Sequence, residues 1–328
     1  MRTLERVMHA AIASSVWHVS IFYMAHLQAT IAKSLGSIEL MPWLSIGFFV
    51  GALIAIMPLC HVYARRSVKF IFLGSIVSGL GATTLCSTAN SMLTAILACV
   101  WAGSSASGSL LGAFYTNVLV APRHNNISRL SHLQVAWGFG IIIGPLMAAA
   151  VRPEAWRTAL YIHIILGIPI FISLACLVPS SRPMPLDRQD VLPFDFLGLI
   201  LSAACVVLFT LATNWASVAY SFASWQVIVL YWLSGVCLIA FFYQQANCIG
   251  IRLHARLLPE LPWATKQFYV LWALVALSAI VAYVPLFYLA VYLQLVRGQS
   301  QFYSSLVSLA FNLSQGLGGT LLLCLLPF

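Results

Sequence analysis

The sequence predicts an all-α polytopic membrane protein with about ten transmembrane helices. Three observations carry this. Apolar residues make up 62% of the 328-residue chain and charged residues only 7%. The apolar residues gather into stretches long enough to cross a bilayer, whose core needs roughly 20 helical residues. The charges fall in the gaps between them. Helices that are apolar all round and this numerous have no place in a soluble fold.

The first span, 7–31, lies between Arg6 and Lys33. It is too long, and followed by too many others, to be a cleaved signal peptide. The second, 42–63, opens on Pro42 and ends before Arg65 and Arg66. Spans 68–88 and 92–120 follow across a short polar gap. Span 127–151 runs from Arg123 and Arg129 to Arg152, and 158–179 from Arg157 to Arg182. A polar, proline-rich segment, 181–193, precedes 194–213 and 225–246. Residues 247–267 then mix Arg252, His254 and Arg256 with leucines, before 268–292 and 303–326. That mixture suits either a short interfacial helix or an ordinary basic loop. The organisation expected is a six-helix bundle (1–180), a cytoplasmic linker (181–193), two further spans (194–246), a cytoplasmic loop (247–267) and a partial second bundle (268–328).

The net charge of +9 raises the question of nucleic acid, and placement argues against it. With the N-terminus cytoplasmic, cytoplasmic segments hold Arg2, Arg6, Arg65, Arg66, Lys69, Arg123, Arg129, Arg182, Arg188, Arg252, Arg256 and Lys266. The other side holds Lys33, Arg152, Arg157 and Arg297. That asymmetry fixes the orientation and makes the lipid bilayer the partner. The cysteines at 60, 86, 99, 176, 205, 237, 248 and 324 form no CxxC pair. They read as small packing residues, with no metal, disulfide or cofactor indicated. Of two sequons, Asn126 falls in a cytoplasmic loop and Asn312 inside a span, so neither is expected to carry sugar.

Small residues recur at helix spacing: Gly47 and Gly51, Gly108 and Gly112, Gly140 and Gly144. Such pairs let helix backbones approach closely. Pro145 follows Gly144 directly, and a mid-helix proline removes a backbone hydrogen bond and bends the helix.

The run GIIIGPLMAAA at 140–150 resembles the antiporter motif of the major facilitator superfamily. Gly140, Gly144 and Pro145 match, and Ala148 and Ala149 stand where that pattern has glycines. WRTALYIHIILG at 156–167, with Trp156 and Arg157, is similar to the entry to the sixth span. The segments 43–67, 195–215 and 287–305 resemble, in order, the second span with its loop, the first extra span, and the tyrosine-rich, glutamine-ended segment of the fourteen-span drug:proton antiporter branch. The resemblance implies a major facilitator-type helical bundle with inverted three-helix repeats. Its cargo site would lie between two bundles and be reached alternately from either side. It also implies that the second bundle is incomplete, with four helices fewer than that branch has.

Two departures stand out. Where the loop motif has an aspartate this chain has His61, beside the retained Arg65 and Arg66. Where the span-four motif has an arginine it has Cys99. The acidic residues Glu5, Glu39, Glu154, Asp187, Asp190, Asp195 and Glu260 all fall in loops or at span edges. Charge at mid-membrane is costly and usually functional, so the proton step would fall to a histidine. Candidates are His18, His26, His163 and, less centrally, His132. His26, or a group in helices beyond this chain, is the leading choice. His18 and His26, eight residues apart, would lie about 80° apart on one helix. Gln28, Tyr115, Asn117, Gln134, Tyr288 and Gln294 are the polar or aromatic residues that a cargo or proton pathway could use, since buried polar groups must find partners.

The function expected is membrane transport, not catalysis: proton-coupled efflux of an apolar or amphipathic small molecule across the plasma membrane. The rivals are a non-transporting, truncated remnant of such a carrier and a membrane-embedded enzyme. The latter would need clustered catalytic groups, which His124, Arg129 and His132 do not make. Oligomeric state, coupling ion and cargo are not set by the sequence.

Overall fold

The computed structural model describes residues 2–120, 126–180, 194–251, 256–258 and 266–325, with side chains over 6–117, 132–180, 194–216, 218–251, 256–258 and 266–314. Arg123, His124, Arg182, Arg188 and Arg252, the 181–193 linker and most of the basic stretch in 247–267 lie outside the described residues. So do the side chains of Arg2 and Arg129.

The first span is two helices, α1 (Arg2–Ser20) and α2 (Tyr23–Ser34). The break has a side-chain cause. Ser20 Oγ donates to Trp17 O at 2.6 Å, taking the carbonyl that the Ile21 amide would use in an unbroken helix. Ile21 and Phe22 bond three residues back instead, to His18 O and Val19 O. Such hydroxyl back-bonding competes with the helical ladder.

Then follow α3 (Pro42–Arg65), α4 (Val68–Ser87), α5 (Met92–Val120), α6 (Asn126–Ala150) and α7 (Arg157–Leu177). Pro42 opens α3, where its missing N–H is no loss. The hairpin α8 (Phe196–Val218) and α9 (Trp225–Asn247) is next, capped at its start by Asp195. The helix α10 (Lys266–Val291) runs into a π-helical turn, Tyr292–Val296, and α11 (Gln301–Leu325) ends the described chain. Among the described residues, nine helical segments are long and apolar enough to cross a membrane, and α11 covers the tenth expected span. The chain is a multi-pass membrane protein.

The α1–α2 pair is central: α1 packs on α5, α6 and α7, α2 on α3, α6 and α10, and α11 lies mainly along α6. Small residues make the closest approaches. A Cβ on Gly51 would strike the Val100 backbone, and one on Gly103 the Phe48 backbone, so α3 and α5 meet backbone to backbone. Gly140 and Gly144 face Val19 and the Ser20–Tyr23 joint, which seats α6 against the α1–α2 break. The α8–α9 hairpin packs mainly on itself and touches α3 through α8.

Candidate functional site

The helices enclose a cavity of about 190 Å³ between α1, α3, α5, α6 and α10. Five rings line it. Tyr283 sits edge-to-face with Phe22 and Phe49, with centroids 5.9 Å apart in both pairs, and with Trp137 at 6.5 Å. Phe48 meets Phe22 at 6.3 Å and Phe49 at 5.7 Å. Offset and T-shaped pairs of this kind leave ring faces free for a flat apolar guest. From α1 come Ser15, His18 and Val19, from the α1–α2 joint Phe22, and from α5 Ala106, Ser107 and Leu110. Ser15 and Ser107 already donate to Ala11 O and Ser104 O.

His18 is the histidine in this wall. Its Nδ1 lies 3.1 Å from Ser14 O. A carbonyl only accepts, so Nδ1 carries the hydrogen and the neutral ring leaves a lone pair on Nε2. That atom has no partner among the described residues. Trp17 stands edge-on to His18, with centroids 4.4 Å apart, and stacks on His163 at 4.6 Å. Its Nε1 donates to His163 O at 2.7 Å, which joins α1 to α7. A second, smaller cavity of about 30 Å³ lies beside Tyr23, Thr83, Cys86 and Cys99. It has room for about one water molecule.

His26, Gln28, Tyr115, Asn117, Gln134, Tyr288 and Gln294, proposed from sequence as pathway groups, do not line either cavity. Gln28 Nε2 donates to Phe287 O at 2.9 Å and accepts at Oε1 from Ser45 Oγ at 2.7 Å. Gln294 Nε2 donates to His26 O at 3.0 Å. The His26 ring is fully buried in α2, and both its nitrogens are unpartnered among the described residues. Asn117 is buried and donates to Ala113 O of its own helix at 2.8 Å. Gln134 and Tyr288 are exposed. The rings Phe48, Phe49, Trp137 and Tyr283 were not singled out in the sequence. The wall of α1 carried a signal, since 15, 18, 19 and 22 follow the i, i+3, i+4, i+7 pattern of one helical face.

The motif residues hold helix ends. Arg157 lies over the Trp156 ring, 4.4 Å from its centroid, and donates to Ser87 O at 2.9 Å and Ala89 O at 2.7 Å. It thus serves the unsatisfied carbonyls at the end of α4. Arg65 hydrogen-bonds His61, and Arg66 is exposed. The carboxylate near this loop comes from α8. Asp195 is fully buried and accepts from Gly198 N at 2.8 Å, Gln244 Nε2 at 3.0 Å and Gln245 Nε2 at 2.6 Å. The neighbouring Phe194 packs edge-on to His61 at 5.3 Å.

No protein-family model matches the chain. Curated proteins do. It is 28% identical to the phomenoic acid biosynthesis cluster MFS-type transporter of Leptosphaeria maculans, over 84% of this chain and 44% of that protein. It is 29% identical to the MFS-type transporter patC of Penicillium expansum, over 88% and 54%. It is 28% identical to the efflux pump patC of Aspergillus clavatus, over 94% and 59%. Over most of its length the chain is similar to MFS-type transporters. It spans about half the length of these relatives.

Proposed function

We propose that the chain works in a proton-coupled secondary carrier of the fourteen-span drug:proton antiporter kind, exporting an apolar or amphipathic small molecule by alternating access. The observation that carries this reading is the aromatic cavity beside the central α1–α2 pair, lined by α3, α5 and α6 from the first six spans and by Tyr283 of α10. A site in that position can be exposed to one membrane face and then the other when the flanking helices rock. Relatives named efflux pump and MFS-type transporter support the direction and the class. In this reading residues 1–180 form the first bundle, 194–246 the linking spans and 268–328 part of the second. The N-terminus is cytoplasmic and the membrane is the plasma membrane. The proton step is assigned to His18, which lines the cavity, in preference to His26, which does not.

The test is movement of Nile red, a neutral amphipathic dye, in proteoliposomes with an imposed pH gradient. The reading expects dye movement that rises with the gradient and stops when the gradient is dissipated. Movement equal to that in protein-free vesicles contradicts it.

A further inference from the structure

Beyond the cavity, neutral amides tie α2, α6, α10 and α11 together. We infer that Gln28, Gln294 and Gln301, with Asn312 deeper along α11, form a charge-free clasp that closes the end away from the N-terminus and must release for cargo to leave there. The inference rests on the carrier reading for the word cargo; the geometry stands by itself.

All four side chains are buried, and each sends an amide N–H across a helix boundary to a main-chain carbonyl. Gln28 of α2 reaches Phe287 O of α10, and Gln294 reaches back to His26 O of α2. Gln301 of α11 reaches Ala148 O at 2.8 Å and Val151 O at 3.0 Å at the end of α6, while Thr30 Oγ1 donates to its Oε1 at 2.8 Å. Asn312 of α11 reaches Ile141 O at 3.3 Å.

The acceptors have capacity to spare. Pro145 has no N–H, so the Ile141 carbonyl has lost its helical donor, and Asn312 supplies one. Ala148 O lies in the last turn of α6 and Val151 O just beyond it, where carbonyls lack intrahelical partners. His26 O and Phe287 O use a second lone pair. None of these bonds competes with a helix, so the clasp can open without unwinding one. The π-helical turn at Tyr292–Val296 shifts the register of α10 where Gln294 points at α2; such turns often mark functional sites.

The part of the contact made by α10 is confined to one end. Leu286, Phe287, Ala290 and Gln294 are buried, while α10 on its Lys266 side is largely exposed, with Tyr283 at the junction lining the cavity. An ionic gate would weaken in salt, and one built from amides does not.

The experiment places a reporter, Phe48→Cys, in the full chain with its native cysteines replaced. Phe48 lines both cavities, beneath the clasp. A charged, membrane-impermeant methanethiosulfonate is applied from the side that carries Lys33 and Arg297. The expected result is slow labelling with the clasp intact. The triple variant Gln28→Leu, Gln294→Leu, Gln301→Leu should label about tenfold faster or more, as losing several neutral hydrogen bonds shifts the closed population. Molar salt should leave the rate with the intact clasp unchanged. An unchanged rate in the triple variant, or a salt-dependent rate with the clasp intact, overturns the inference. If the triple variant does not fold, the near-isosteric Gln301→Met decides, with about threefold faster labelling expected and no change overturning. Faster labelling of the reporter chain, together with no dye movement by the unaltered protein, keeps the clasp and removes the carrier reading. Dye transport with unchanged labelling does the reverse.

Discussion

His18 illustrates how a single backbone bond sets a side chain's chemistry. Because Nδ1 is committed to Ser14 O, protonation can only occur at Nε2. The other titratable ring facing this cluster is His163, across Trp17. His18→Gln keeps a polar side chain of similar reach but cannot take up a proton. We expect it to retain dye binding while the dependence of transport on the pH gradient falls about tenfold or more, the scale on which positioned proton transfer acts. Equal gradient dependence in variant and wild type would remove His18 from the proton step. At the start of α7, Arg157→Lys keeps the charge and loses the fork that serves two carbonyls at once. A cost of about 1–2 kcal/mol follows, read as a lower melting temperature in detergent. The sequence singled out Arg157 through its motif, while its bonds to the carbonyls after α4 were visible only in the structure. The commitment of Gln28 and Gln294 to main-chain carbonyls was not, because a polar residue in an apolar helix looks the same whether its partner is a ligand or a neighbouring helix.

At the scale of elements, Asp195 governs the α8–α9 hairpin. It caps α8 and receives both Gln244 and Gln245 of α9. Asp195→Ala leaves buried amide donors without acceptors, and we expect a loss of about 2–4 kcal/mol of hairpin stability, measured by hydrogen exchange of α8 and α9 amides. Protection equal to that of the unaltered protein would show that the cap is dispensable. The α3–α5 contact is less tolerant still. Gly51→Val or Gly103→Val would force the two backbones apart, and loss of folded, monodisperse protein in detergent is the expected outcome. Helix boundaries followed the sequence closely, since charge and proline mark where a chain leaves the bilayer. The break at Ser20 and the π-helical turn did not show, because neither changes hydropathy. Both arise from how individual carbonyls are shared.

Across the whole molecule, hydropathy identified the spans but not their neighbours. Helices apolar on every face carry no stripe to say which side meets protein and which meets lipid. The central place of α1–α2 therefore became visible only in the packing, and with it the cavity. That Trp137 and Tyr283 join Phe22, Phe48 and Phe49 needed three helices distant in sequence to be brought together. The central claim is that cargo passes through this cavity, and filling it is the most direct test. Ala106→Trp puts an indole into a space of about 190 Å³. The measurement is Nile red accumulation in inside-out vesicles under a pH gradient, at matched amounts of inserted protein. The account predicts accumulation by the unaltered protein and little or none by Ala106→Trp. Equal accumulation by both would mean that the cargo takes another route.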